Sequence, residues 1–257
     1  ALTRHSYADF LARSDLDALG AALDRVRPHA TGGVAAMLDQ FDTAADGAAI
    51  GVAVAQLQPA INASAREAAL QGVHRTGAQL AAQGPFLSAD ARNGRGEAWF
   101  DALHGQERHG AAAGFRPTGE VIDGGMAGAD FLLGGHVTVG AAIADVRDRL
   151  TEREGSPDRA RIESDRGYLY GRWEQRPGAP GWSAAAHLGL GFSRIETCRR
   201  VDFLDAEVAG QHRAWDGSLS LDVGREFRFR RWTFRPFAGG EYVYLGERAY
   251  TERGQSG

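Results

Sequence analysis

The sequence predicts a mainly β chain whose first third is α-helical. Three observations carry that expectation. Composition changes near residue 96: residues 1–96 hold 25 Ala but only 10 of the 35 Gly and 4 of the 23 aromatic residues, and all five Trp lie beyond. Ala enters helices at low entropic cost, whereas aromatic residues and Gly alternating with polar ones suit twisted strands and tight turns. The second observation is near-pure alternation from Trp215 to Phe229. The third is length: that run exceeds the roughly five or six residues of a typical strand and fits the roughly 9–11 that cross a bilayer at a tilt, with some to spare.

Breakers divide the helical part. Ser14 can cap a helix whose apolar positions Leu16, Leu19, Leu23 and Val26 share one face, and Pro28 ends it. Thr31 with Gly32-Gly33 opens a second helix carrying Val34, Met37, Leu38 and Phe41. Asp46 can start a third, with Ile50, Val54 and Leu57, stopped before Pro59. The stretch Ala60 to Gln83 differs. Its only sizeable apolar residues are Ile61, Leu70, Val73 and Leu80, and the rest is Ala, Gly, Ser, Thr, Gln and a few charges. Such a slim helix either links domains in solvent or fits a narrow polar enclosure. Gly84 to Gly96, with Pro85 and Asn93, reads as the connection to the β part.

Seven strands are expected after that connection. They fall near Glu97–His109, Gly119–Leu133, His136–Arg149, Arg161–Trp173, Trp182–Arg194, Ala206–Phe229 (one long strand or two short ones) and Trp232–Thr251. Gly134-Gly135, Glu154 to Asp158, Pro177 to Gly181 and Arg230-Arg231 supply turns, and short and long connections are expected to alternate. Successive side chains of a strand point to opposite faces. That puts Leu219, Leu221, Val223 and Phe227 on one face and Ser218, Ser220, Asp222, Glu226 and Arg228 on the other. Trp99, Trp173, Trp182, Trp215, Trp232, Tyr242 and Tyr244 fall towards segment ends, as girdle residues of a membrane barrel do. A soluble β-sandwich or lectin-like module would alternate too, with its apolar face turned inward.

Several function classes are disfavoured. The net charge is −4, with 29 Arg, no Lys and 33 carboxylates, which is not the clustered basic excess of a nucleic-acid binder. A single Cys, Cys198, excludes an internal disulfide framework and a Cys-based zinc cage. No apolar run is long enough for a transmembrane helix, and no signal peptide is visible ahead of Ala1. His104 and His109 fall on opposite faces of one strand and make poor metal ligands. Gly124-Gly125 and Gly189-Leu190-Gly191 lack the strand-to-helix context of a dinucleotide loop, and no Gly-x-Ser-x-Gly elbow occurs. Cys198, with Arg194, Arg199 and Arg200 nearby in sequence, reads as a lone loop thiol. Asp202, Asp205 and Glu207 read as an outer loop face. No catalytic residue, cofactor or metal is expected.

Three stretches carry a family resemblance. They are Gly125 to Ile143 (GMAGADFLLGGHVTVGAAI), Arg166 to Ser193 (RGYLYGRWEQRPGAPGWSAAAHLGLGFS) and Trp215 to Gly254 (WDGSLSLDVGREFRFRRWTFRPFAGGEYVYLGERAYTERG). Together they resemble the C-terminal β-barrel translocator of the autotransporters, the type V secretion proteins of Gram-negative bacteria. The resemblance implies a twelve-stranded antiparallel barrel with a helix through its lumen, of which about seven strands are present. It gives the slim helix a place inside the barrel. It also implies that Ser218, Ser220, Asp222, Glu226 and Arg228 face the lumen while Leu219, Leu221, Val223 and Phe227 face lipid.

The implied organisation is a helical tail of a passenger or linker region over 1–59, a lumen helix over 60–83, a connecting loop over 84–96 and a partial barrel over 97–257. The sequence is then expected to be a piece truncated at both ends, since an open sheet leaves unpaired edge amides in hydrocarbon. The implied function is an outer-membrane translocator and anchor that exports an N-terminal passenger. Its implied partners are the lipid bilayer, the barrel assembly machinery and its own passenger, with no nucleic acid. A soluble β-rich binding module with a helical cap is the alternative, and an enzyme with its site upstream is a third.

Overall fold

A computed structural model of the chain describes residues 6–10, 17–43, 46–82, 96–110, 116–153, 158–176 and 179–256. Four α-helices precede the sheet: α1 Asp17–Val26, α2 Gly32–Asp42, α3 Gly47–Leu57 and α4 Ala60–Ala82. The expected cap at Ser14 and the connection over 83–95 lie outside the described residues. Asp46 caps α3 as its position predicts, accepting the Ala49 amide at 2.8 Å. Thr31 precedes α2 without a side-chain cap bond.

Helices α1 to α3 share a small core of Tyr7, Leu23, Leu38, Phe41 and Val54. Phe203 docks there from the connection after β5, its ring 4.9 Å from Phe41, so this helical cap sits on one end of the sheet. Burial, and then the Asp42 carboxylate that accepts its hydrogen bond at 3.1 Å, push the Tyr7 hydroxyl up to about 12.

Six long strands follow: β1 Gly96–His109, β2 Thr118–Leu133, β3 Val137–Glu152, β4 Arg159–Glu174, β5 Trp182–Val201 and β6 Ala206–Arg225. Each pairs antiparallel with the next. The remaining strands are β7 Phe227–Phe229, β8 Trp232–Phe234, β9 Phe237–Glu247 and β10 Arg253–Ser256. Strands β9 and β10 both pair with β6, so the sheet is seven strands across, as expected, with β1 and β9–β10 as its edges. Among the described residues the sheet does not close into a barrel.

The structure corrects four expectations. The run Ala206–Phe229 stops as a sheet strand at Arg225, and β7 turns away to pair with β8 in a separate hairpin. The expected strand Trp232–Thr251 is two pieces, β8 and β9, and β10 follows beyond its expected end. Ala214 pairs with Glu247 but Ala209 with Arg253, so 248–252 faces 210–213 with one residue too many. That is the count of a β-bulge, which shifts the alternation by one. Connections do not alternate in length: 110–117, 153–158 and 202–205 shorten along the capped end, while 134–136, 175–181 and 226–236 lengthen along the other. Cys198 lies within β5 rather than in a loop. Its sulfur is 2.7 Å from Glu207 and 4.0 Å from Arg159, not among its sequence neighbours.

Glycines make room for the aromatic residues on the helix-facing side of the sheet. A Cβ on Gly140 would stand 2.4 Å from the Tyr170 ring and 2.6 Å from Asp130, and one on Gly128 would stand 2.4 Å from Trp99. Trp99 therefore points inward, its Nε1 3.0 Å from the Tyr170 hydroxyl, and is not a girdle residue.

Gly140→Ala should destabilise the intact protein by roughly 1–3 kcal/mol through this overpacking. Gly240→Ala, whose methyl meets nothing within 4 Å, should stay within about 0.5 kcal/mol. Thermal unfolding in detergent compares them, and equal shifts would refute the Tyr170 packing. Above pH ~10 an unfolded Tyr ionises while buried Tyr7 keeps its proton, so the cap should lose stability between pH ~10 and ~12. Circular dichroism should register that helix loss, and Tyr7→Phe should suppress it.

Candidate functional site

Helix α4 lies along one face of the sheet, and the sheet curls around it. A flat sheet seven strands wide would span about 30 Å at about 4.8 Å per strand, while a helix is about 10 Å across. Yet α4 side chains meet both edges: Arg75 and Gln79 reach β1, and Arg66 and His74 reach β9. Only a curved trough allows that.

The helix is amphipathic by size. Its buried positions include Ile61, Ser64, Ala65, Ala68, Ala69, Gly72, Thr76, Gly77 and Leu80, spaced to share a face. A Cβ on Gly72 would sit 3.4 Å from both terminal nitrogens of Arg166, and one on Gly77 would sit 3.1 Å from Glu241 and 3.2 Å from His187. The small residues are therefore a fit to the wall.

That wall is charged. Arg166 pairs with Asp216 at 3.3 Å with both side chains almost fully buried, and its guanidinium also donates to the Ala69 carbonyl of α4 at 3.4 Å. Arg75 of α4 bridges Glu107 at 2.9 Å and Glu120 at 2.8 Å, with Asp148 at 3.9 Å. His74 bonds Glu241 at 2.6 Å, and Arg66 bonds Glu247. Arginine side chains of the helix thus meet carboxylates of the wall. Glu107, His109 and Glu120 have the spacing of a metal site. The Arg75 guanidinium already bonds both of those carboxylates, so the positive charge they favour is a side chain of this chain.

Ser220 and His187 share a hydrogen bond at 2.9 Å, and Glu241 stands 3.8 Å from the other ring nitrogen. Gly77 of α4 packs against the His187 ring and Glu241. At the mouth, Arg116 donates to Ala55 O at 2.8 Å and Arg199 to Gln56 O at 3.2 Å. Both carbonyls lie at the C-terminus of α3, where cations satisfy unpaired acceptors and the helix dipole. Glu152 and Glu252 hold these arginines in turn.

The nine site residues singled out in the sequence divide as follows. Ser218 and Ser220 are buried on the helix-facing side, and Asp222 is half-buried there. Leu219, Leu221 and Val223 point outward and are 55%, 57% and 41% exposed. Glu226, Phe227 and Arg228 leave this pattern because β6 has ended. Glu226 and Arg228 pair with each other at 2.8 Å beside the β7–β8 hairpin, and Phe227 lies under the Arg225 guanidinium. The wall charges Arg166, Asp148, Glu120 and Glu241 were missed. Their signal was an isolated charge at an inward position of alternation, as with Asp148 between Val146 and Leu150 or Arg166 between Ser164 and Tyr168.

His104 and His109 do fall on opposite faces, bonded to Asp123 and Glu120 respectively. Asp202 and Asp205 both pair with Arg200 beside the cap.

Arg166→Met should leave Asp216 as an uncompensated buried charge and cost roughly 3–5 kcal/mol. Arg166→Met with Asp216→Leu should recover most of that. Thermal midpoints of the two variants decide it, and a double variant no better than the single would remove the pair from the wall.

The sequence model of the autotransporter β-domain family matches residues 98–257. Among solved structures, the fold is similar to the translocator domain of the autotransporter NalP from Neisseria meningitidis, with a TM-score of 0.58 and 17% sequence identity. That likeness covers 77% of this chain and 64% of the other, so this chain spans less than two thirds of that domain. No curated protein matches.

Proposed function

The chain belongs to the autotransporter β-domain family, and from that premise we propose that it is part of an outer-membrane translocator that exports and anchors an N-terminal passenger. The observation that carries the reading is a bare apolar band on the outward face of a sheet whose other face holds a helix of the same chain. On β5 the band runs from Trp182 through Leu188 and Leu190 to Phe192. That is about 33 Å of strand at 3.3 Å per residue. At a tilt of about 40° it rises about 25 Å, the height of the apolar band of outer-membrane barrels. A soluble sandwich would roof this face with a second layer. Among the described residues nothing covers Leu190, Leu219 or Leu221.

In this reading lipid meets Leu219, Leu221 and Val223, and the barrel assembly machinery inserts the domain. The charged inner wall solvates the passenger in transit, and α4 fills the channel afterwards. Residues upstream of α4 leave at the capped end, which makes that end the cell surface. Export needs binding surfaces and a path, and no catalytic residue.

Leu221→Arg separates the readings. On a water-exposed surface the substitution is close to neutral. In a bilayer midplane it should cost about 2–4 kcal/mol of insertion, while Leu221→Met should cost under about 1.5 kcal/mol. Outer-membrane fractionation of the intact protein, with protease accessibility of its passenger, reads both. Unimpaired insertion of Leu221→Arg would overturn the lipid-facing assignment.

A further inference from the structure

The outward face changes character partway up the strands. On β5 the apolar band ends at Phe192 and the next outward residue is Arg194. On β6 Trp215 gives way to Arg213, and on the last edge Gly246 gives way to Arg248. Arg194 and Arg213 are register partners, and the Arg248 amide donates to the Arg213 carbonyl at 3.1 Å. With strands about 4.8 Å apart, three arginine stems stand in one row about 10 Å wide.

All three are exposed. None makes an ion pair among the described residues. Glu163, the register partner of Arg194 on β4, pairs instead with Arg161 at 2.6 Å. Arg149 and Arg147 on the same face are by contrast matched internally, with Asp123 at 3.4 Å and Asp145 at 3.7 Å. Like charges set side by side across strands repel, so an unmatched row of three favours an external anion. Directly beneath it lie Phe192 and the Trp215–Tyr244 ring pair, 4.8 Å between centroids.

We propose that Arg194, Arg213 and Arg248 form a docking site for the phosphomonoester headgroup of a membrane lipid in the leaflet beside the capped end. This rests on the reading that the apolar band is immersed in a bilayer. Guanidinium groups pair with phosphate oxygens in a bidentate fork. A phosphomonoester is close to dianionic at neutral pH, because its second pKa is about 6. It therefore matches a triply charged row better than the single charge of a phosphodiester. The acyl chains of the same lipid lie along Phe192 and Leu190.

The test uses the intact protein in detergent, freed of bound lipid and titrated with four probes. These are lipid A, dephosphorylated lipid A, phosphatidylglycerol and inorganic phosphate. Lipid A should bind at least ~10-fold tighter than either of the other lipids, the worth of one or two charge-assisted hydrogen bonds. Inorganic phosphate should not displace it at equal concentration. R194Q/R213Q/R248Q should lose that preference, while R147Q/R149Q/R161Q, at internally matched positions, should keep it.

Equal binding of lipid A and its dephosphorylated form would overturn the proposal, as would full displacement by inorganic phosphate. Equal binding of phosphatidylglycerol would overturn the phosphomonoester assignment. The headgroup comparison on the unsubstituted protein needs no variant, so it decides even if the triple variant fails to assemble. Normal insertion without a phosphate preference would sink this site alone, whereas insertion indifferent to Leu221→Arg would sink the reading beneath it.

Discussion

The closeness of α4 to the charged inner wall is the contact on which the other features depend. Arg166 and Glu241 come within van der Waals reach of where side chains at Gly72 and Gly77 would begin. A helix of ordinary amphipathic composition could not lie there. Buried ions are tolerated only when paired and hydrogen-bonded. The helix itself supplies part of that pairing, through the Ala69 carbonyl to Arg166 and the Arg75 guanidinium to Glu120. Helix and wall are therefore one electrostatic unit. The clamp of Arg116 and Arg199 on the last carbonyls of α3 fixes where that unit begins.

Curvature follows from the same contact. The strands must bring Asp101 and Glu107 of β1, and Glu241 and Glu247 of β9, to opposite flanks of one helix. Glycines at 128 and 140 admit Trp99 and Tyr170 against the backbone of the next strand and let the sheet bend without a gap. The bulge between β9 and β10 serves the mouth. Before it Leu245 and Glu247 face the helix; after the extra residue Tyr250 and Glu252 do. Tyr250 can then stack on His212 at 4.2 Å, and Glu252 can hold both Asn62 and Arg199.

The outer face obeys a different solvent. Alternation runs the full length of β5 and β6, but the outward residues are apolar only from Trp182 to Phe192 and from Val223 to Trp215. Above that level charged residues enter, Arg194, Glu196 and Arg200 on β5 and Arg213 and Glu207 on β6. In the proposed reading this is where hydrocarbon gives way to headgroups, while the inner face at that level still packs α4 on Ile195, Ile162 and Ala214. Trp215 lies in the middle of β6 and still marks the rim of the band. Position relative to the bilayer sets its role, not distance from a strand end.

Much of this architecture is legible in the sequence because it is local. Period-two alternation identified the strands and their outward residues. Loss of bulky side chains over 60–82 singled out α4, and Asp46 marked the start of α3. What the sequence could not decide are pairings between residues far apart in the chain. Register brings Arg166 to Asp216 and Arg194 to Arg213 and Arg248, and the docking of α4 brings Arg75 to Glu120. An extra residue in one strand reverses the faces beyond Arg248. A side chain's face follows from the geometry of its own strand, whereas its partner depends on which residue a neighbouring strand presents. That is fixed only when the whole sheet curls around the helix.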